Sequence, residues 1–386
     1  MPRHHSISVA ILATVPAMTV SALAAPILLR FPDASASLAA GQRPAVAASP
    51  RWQLAVNRHF GQPGNASGFS VLLAAGRSVW VLGGTNPGGQ SSPVAEIRAG
   101  NSWHAQPLPA RLTDFISDAS APAANDIWAI SGYGRYVLRW DGTRWHVAKR
   151  WREEGTLSGV TAVSATDAWV FGTSVTGART IGTWHFDGRS WASVTGAGRD
   201  IYTASALSAR DIWAISAGRN GDTIEHYGGR GWRAQRTGRL LRGIWWHDIL
   251  AVSPGNVWMV GDTATKPGSG RIVLAHWSRG HWRRFDTTLR GWAGQLTALG
   301  NDRIVATATS SGVLAAGVIM QMTSKGRLTW STISSGLGSG VSDVAFSPWT
   351  RALWASGGIL TRLGGDAAVW TQPLQHGTPR PRLDLD

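Results

Sequence analysis

Apolar residues in this chain fall into short runs, split by turns rich in Gly, Asp, Asn and Ser. One stretch, residues 115–149, reads FISDASAPAANDIWAISGYGRYVLRWDGTRWHVAK. Its pattern predicts four short β segments. Segment a, 115–121, is small and apolar; segment b, 126–131, carries Trp128; c covers 135–140; d covers 144–149 and carries Trp145. Asp141-Gly142 lies between c and d, and Asp-Gly between two strand-like runs is a strong hairpin signal.

The plan recurs, and tryptophan marks it in two series. The first sits in segment b: Trp80, Trp128, Trp169, Trp213, Trp258 and Trp354. The second follows a Gly-containing turn and opens segment d: Trp103, Trp145, Trp191, Trp232, Trp282, Trp330 and Trp370. Ile304 takes the first tryptophan position in a degenerate unit. Counted this way, seven units lie between Gly68 and Leu374. Trp52, in RWQLAV, looks like an additional segment d that pairs with the last unit and helps to close a ring.

Repeats of this period mark propellers or solenoids. Four antiparallel segments with large flat side chains suit propeller blades, which pack face to face about an axis. The expected fold is therefore all-β, a seven-bladed β-propeller of four-stranded antiparallel blades over residues 51–374. Six blades follow if the unit around Ile304 fails to form, and eight would need a fuller unit before Gly68. The thirteen series tryptophans read as blade core. Asp126, Asp167, Asp211, Asn256 and Asp302, just before segment b, read as turn-capping groups.

The ends differ from the repeats. Arg3, His4 and His5 precede a mostly apolar run, 7–20, and Ala22-Leu23-Ala24 offers a small-x-small cleavage site. Residues 1–24 thus read as a secretory signal peptide, 25–50 as an Ala/Pro/Ser-rich linker and 375–386 as a flexible tail. The chain has no cysteine, so thiolate nucleophiles, disulfides and Cys-ligated metals are excluded. Its formal net charge of +15 is carried almost wholly by Arg. Such charge draws a protein towards anionic polymers or cell surfaces. No nucleic-acid-binding motif accompanies it, and no later stretch could span a membrane.

The unit SVWVLGGTNPGGQSSPVAEIRAGNSWHAQPLPAR resembles a kelch repeat, and Gly83-Gly84 and Gly357-Gly358 match the kelch glycine doublet. Ser131-Gly132, Phe171-Gly172 and Val260-Gly261 depart from it. The phrases DIWAISGYGRYVLRWDGTRWHV and DIWAISAGRNGDTIEHYGGRGW look more like tectonin-type repeats and Trp-rich secreted actinobacterial propellers. Among kelch-like proteins, galactose oxidase needs a Cys–Tyr crosslink, which this chain cannot form. The tectonin resemblance implies glycan binding.

Loops hold the candidate ligand site. Trp151, Trp245, Trp246 and Trp292 fall in connections from segment d to the next segment a, where exposed aromatics suit stacking on sugar rings. Arg152, Arg242, His247 and Arg290 lie beside them and suit carboxylate, sulfate or phosphate groups. Asp118, Asp248 and Asp343 fall in segment a, expected to line the channel, where a carboxylate cluster could hold Ca²⁺. No zinc, phosphate-loop, nucleophile-elbow or EF-hand motif is found, and no catalytic residue is assigned. The leading expectation is an exported binding module for an extracellular or cell-surface glycan or anionic polymer. A protein–protein interaction scaffold of the cell envelope is the first alternative. A hydrolase or lyase using the channel carboxylates is the second.

Overall fold

The computed structural model describes residues 51–374, except 61–65, 87–90, 153–154, 175–179, 197–199, 219–220, 239, 264–269, 311–315, 334–336 and 363. The signal, linker and tail expected at the two ends lie outside these residues. The described chain is strand and turn throughout and contains no helix.

Seven four-stranded antiparallel units follow one another, with strands a to d running from the inside out. Blade 1 is Ala66–Ala75, Ser78–Asn86, Ser92–Ala99 and Ser102–Ala105. Blade 2 is Ile116–Ala123, Asp126–Ser131, Tyr136–Trp140 and Trp145–Arg150. Blade 3 is Thr156–Ser164, Asp167–Thr173, Thr183–Phe186 and Trp191–Val194. Blade 4 is Ile201–Ser208, Asp211–Gly218, Gly221–Tyr227 and Trp232–Ala234.

Blade 5 takes Trp245–Ser253, Asn256–Asp262, Arg271–Ser278 and the first part of the long strand His281–Ala298. That strand pairs with blade 5 as far as Arg290 and then, from Gly291, becomes the innermost strand of blade 6. Blade 6 continues with Arg303–Ser310, Gly317–Thr323 and Leu328–Ile333, so the degenerate unit does form a blade. Blade 7 is Gly338–Ser347, Ala352–Thr361 and Gly364–Pro373, with Gln53–Arg58 as its outer strand. Contacts between neighbouring innermost strands run round the ring and close between blades 7 and 1. The N-terminal strand thus latches the ring to its C-terminal blade.

Each interface between blades holds its own apolar cluster, built from two consecutive blades. Trp80 of blade 1 lies with Ile127, Leu138 and Trp145 of blade 2, and the pattern repeats to Trp354 of blade 7 against Phe69 and Val81 of blade 1. The two tryptophan series are partners across these interfaces. Strand-b and strand-d rings meet edge to face in Trp80–Trp145, Trp128–Trp191, Trp169–Trp232, Trp213–Trp282 and Trp354–Trp103, with centroids 5.9–6.2 Å apart. Such geometry aims the positive edge of one ring at the negative face of the other.

The acidic or amide residues before strand b do more than cap turns. Asp167, Asp211 and Asn256 each accept, on Oδ1, the indole N–H of the tryptophan two residues on. The same oxygen meets Nε2 of a strand-c histidine: His185, His226 or His276. Each histidine is the cross-strand partner of its tryptophan and stacks on it at 4.0–4.4 Å. Blade 2 substitutes Arg139, which bonds Asp126 and lies over Trp128. In blades 3, 4 and 5 a short polar side chain therefore orients the interfacial ring.

Three expectations are corrected. In blade 6, Ile304 faces blade 5, and Val305 takes the tryptophan's place towards blade 7. The difference is a one-residue slip, which moves a strand residue to the other face. Trp330 is 52% exposed, because Leu328, two residues earlier, packs into the interface. Trp370 lies in strand c of blade 7, not strand d. Trp52 packs towards blade 6 instead, and its indole N–H donates to Ser331 Oγ.

Around the axis, polar side chains tie several innermost strands to their neighbours. Asp118 Oδ2 accepts from Val160 N–H, Asp248 Oδ2 from Leu296 N–H and Asp343 Oδ2 from Leu72 N–H. Ser120 accepts from Ala162 N–H and Ser205 from Ala251 N–H, while Thr203 donates to Asp248. All three aspartates follow a bulge at the same place in strand a.

Deleting residues 51–60 should open the ring at blade 7 and leave strand Gly364–Pro373 as an unpaired edge. The thermal midpoint should fall by several degrees and the protein should self-associate through that edge. Calorimetry and light scattering would show this; an unchanged, monomeric transition would contradict the latch.

Burial, reinforced by mutual repulsion, raises the Asp118 carboxyl to about 8, and burial raises Asp343 to about 7 and Asp248 to about 6. These groups keep protons in the fold that the unfolded chain releases near its ordinary carboxylate value. Their stabilisation is complete below that value and is lost as pH rises through the folded values. Burial lowers His276 to about 4, so its contribution is lost at the acid end. Between about pH 6.5 and 8 the carboxylates dominate this balance, and the thermal midpoint should fall. Asp118→Asn should flatten that slope; parallel profiles for the two proteins would refute the assignment.

Candidate functional site

Strands alternate in direction, so the a–b and c–d turns share one end of the ring, and the b–c and d–a connections share the other. The sequence-derived ligand residues belong to the second end, but the structure sorts them unevenly.

Trp151 follows strand d of blade 2 and is 2% exposed. It packs in the interface with blade 3, edge to face with Trp184 and Trp191. Trp246 is 3% exposed and sits in the interface between blades 4 and 5. Both are core residues rather than exposed loop aromatics. Trp245 precedes it at the start of strand a and is 43% exposed. Side chains of adjacent strand residues point to opposite faces, which separates the pair. Trp292 is half-buried and lies within the long strand, opposite Thr309, rather than in a loop.

The basic candidates divide likewise. Arg152, Arg242 and Arg290 are exposed. Arg290 is the cross-strand partner of Arg271. His247 is half-buried, and its Nε2 lies 2.8 Å from Oδ2 of the buried Asp262. The structure therefore gathers Arg242, Trp245 and His247 within one connection and the strand it opens. Trp151 and Trp246 fall out of the surface.

Asp118, Asp248 and Asp343 do stand on innermost strands. Asp118 and Asp343 accept backbone N–H groups on both oxygens, while Asp248 accepts the Thr203 hydroxyl on Oδ1 and Leu296 N–H on Oδ2. Those bonds make them inter-blade clasps. Among the described residues no group of three or more His, Asp or Glu is arranged to hold a metal ion.

The same end carries apolar exposure that sequence reasoning passed over. Tyr133 (55% exposed) lies in the b–c turn of blade 2, Leu240 in the connection into blade 5, Leu337 before strand a of blade 7 and Leu360 near the end of its strand b. Leu337 N–H donates to Leu360 O, so that pair is adjacent. With Trp245, these are five of the nine large apolar residues found exposed among the described ones. Lone leucines outside any periodic run carry no sequence signal, and only strand direction shows that they share an end.

On the opposite end a groove of about 440 Å³ runs between blades 2 and 3, lined by Asn125, Asp126, Arg139, Asp141 and Ser164 among others. Its central pair, Asp126 and Arg139, is already joined at 2.7 Å and belongs to the interfacial ring support.

With blades, latch and axis in place, the architecture is settled. This chain is a seven-bladed β-propeller. No family model matches it, and no curated protein does. Solved propellers match it along nearly their whole length. YCF48 bound to D1 peptide is 15% identical, with a TM-score of 0.57 over 88% of this chain and 99% of that one. U3-55K is 13% identical, with a TM-score of 0.59 over 84% of this chain and 100% of its own. A catalytically inactive virginiamycin B lyase from Staphylococcus aureus, with quinupristin, is 10% identical, with a TM-score of 0.59 over 84% and 99%. At these identities the likeness concerns fold alone.

The tryptophan pair offers a direct check. Trp246→Ala should cost about 3–5 kcal/mol of stability, as a buried aromatic does. Trp245→Ala should cost about 1 kcal/mol or less. Equal costs in chemical denaturation would place both rings in the core and remove Trp245 from the candidate surface.

Proposed function

We propose that this chain is a propeller binding scaffold. Its b–c and d–a end takes a polypeptide segment that carries both apolar and acidic side chains. One observation carries the reading: Tyr133, Leu240, Trp245, Leu337 and Leu360 are exposed at that end, interspersed with exposed Arg152, Arg242 and Arg290. Apolar anchors within a basic surround suit a peptide with hydrophobic and carboxylate groups. YCF48, of the same fold, is known bound to a peptide.

Glycan recognition is the second reading. It rests on Trp245 beside Arg242 and on the tectonin-like phrases of blades 2 and 4. The kelch likeness rests on two glycine doublets. Export, and with it an extracellular or cell-surface partner, rests on residues 1–24 alone.

A displayed peptide library and a glycan array, probed in parallel at low and high salt, separate the two. Enrichment of peptides combining aromatic or leucine residues with Asp or Glu is expected. Trp245→Ala should weaken a selected peptide by about ten-fold or more, as loss of an interface anchor does. Salt-resistant binding to a narrow set of sugars, with no peptide enriched, would favour the glycan reading and reject this one.

A further inference from the structure

The a–b and c–d end carries a different pattern. The outer hairpins of blades 2 to 6 each present a basic side chain: Arg144, Arg189, Arg230, Arg279 and Arg327, all exposed. They stand at corresponding turns, so the blade repeat sets them at one level along an arc. The turns hold them outward. Asp141 Oδ1 accepts from the Thr143 hydroxyl and from Thr143 and Arg144 N–H; Asp187 Oδ1 accepts from Arg189 and Ser190 N–H. In blades 2 and 3 these bonds fix the turn backbone, while the arginine side chains stay exposed and Arg144 Nε lies 4.0 Å from Asp141 Oδ2.

Arg279 and Arg351 adopt left-handed φ values of 52° and 51° at turns where Gly or Asn would be less strained. Arg111 and Arg135, at the other end, share this conformation with φ values of 70° and 58°. Between blades 7 and 1, Trp349 is 58% exposed, and the Arg77 guanidinium lies 4.3 Å from its ring centroid. Arg351 follows two residues later. This end therefore combines a level arc of cations with one prominent indole.

We propose that this end docks on an anionic lipid bilayer, with the turn arginines against lipid phosphates and Trp349 at the headgroup level. A planar array of anions meets every blade of the arc at once, whereas a linear polymer would follow only a stripe of it. Indoles favour the membrane–water interface, and basic side chains near an anionic leaflet each add to partitioning. No helix among the described residues is long and apolar enough to cross a membrane. Docking this way leaves the opposite end facing away from the surface, and it stands independently of what that end binds.

The test is co-sedimentation of the full chain with phosphatidylcholine vesicles, with and without about 30 mol% phosphatidylglycerol, across a salt series. Binding is expected only with the anionic lipid. Replacing Arg144, Arg189, Arg230 and Arg279 by Gln should weaken it well beyond ten-fold, since each basic residue contributes about five-fold. A variant with Arg111, Arg236, Arg271 and Arg362 changed to Gln removes the same charge from the other end and should bind within about two-fold of the parent if those residues lie beyond a Debye length of the surface. Trp349→Ala should weaken the binding that persists at high salt. Unchanged thermal midpoints would confirm that the variants fold. Equal losses in the two arginine variants would mean bulk charge and overturn the proposal. So would equal binding to uncharged vesicles, no vesicle binding, or retention on soluble polyphosphate without vesicle binding.

Discussion

Every blade exposes two apolar faces, and the fold exists because a neighbour covers each of them. The contact that recurs is a strand-b tryptophan against the strand-d tryptophan of the next blade, edge to face near 6 Å in five interfaces. Two large rings in one wedge-shaped gap set both the spacing and the tilt of adjacent sheets. Asp167, Asp211 and Asn256 fix the inner ring by its N–H, and a stacked histidine covers its other side. Where the pair is missing, between blades 5 and 6, Leu328 packs in the interface with Trp258 and the two blades share a continuous strand. The covalent continuity supplies an alignment that the tryptophans supply elsewhere.

Closure has the same logic. A ring of blades leaves no free sheet edge inside it, but the chain must still join its two ends. Borrowing Gln53–Arg58 for blade 7 makes the join a ladder of backbone hydrogen bonds rather than a loose packing contact. Near the axis, where strands are closest and little apolar volume remains, side-chain oxygens take over the tying. Three buried or half-buried carboxylates in one channel repel each other, so this stitching costs stability once all are charged. Serine does the same work without that cost, Ser120 beside Asp118 in blade 2 and Ser205 in blade 4. The axis is thus held by neutral clasps and titratable ones together.

Much of this was legible beforehand. Asp-Gly hairpins, alternating runs and the strand-b tryptophans placed blade 2 to within a residue or two, and Trp52 announced the latch. The errors fall where one residue of register decides the face. Ile304 and Val305 are equally good strand residues, and only pairing with Met322 and Gln321 shows which faces blade 7. Leu328 and Trp330 are a different case: two residues apart, they share a face of their strand, yet only the smaller one packs into the interface. For the candidate site, Trp245-Trp246 looked like one aromatic pair. Strand alternation gives one ring to solvent and the other to the core. Exposure of an aromatic in a connection cannot be read until the strand that follows has a known first residue.

The two ends of the ring differ because the repeat constrains them differently. Hairpin turns between c and d are short and recur at fixed positions, so whatever they carry is multiplied around the ring at one height. Connections at the other end vary in length and sequence from blade to blade, so their side chains, Tyr133 and Leu360 among them, make an irregular surface. A repeated feature suits a repeated target such as a plane of like charges, and an irregular one suits a single shaped partner. The same seven blades can therefore present a general attachment on one side and a selective contact on the other, without any residue having to serve both.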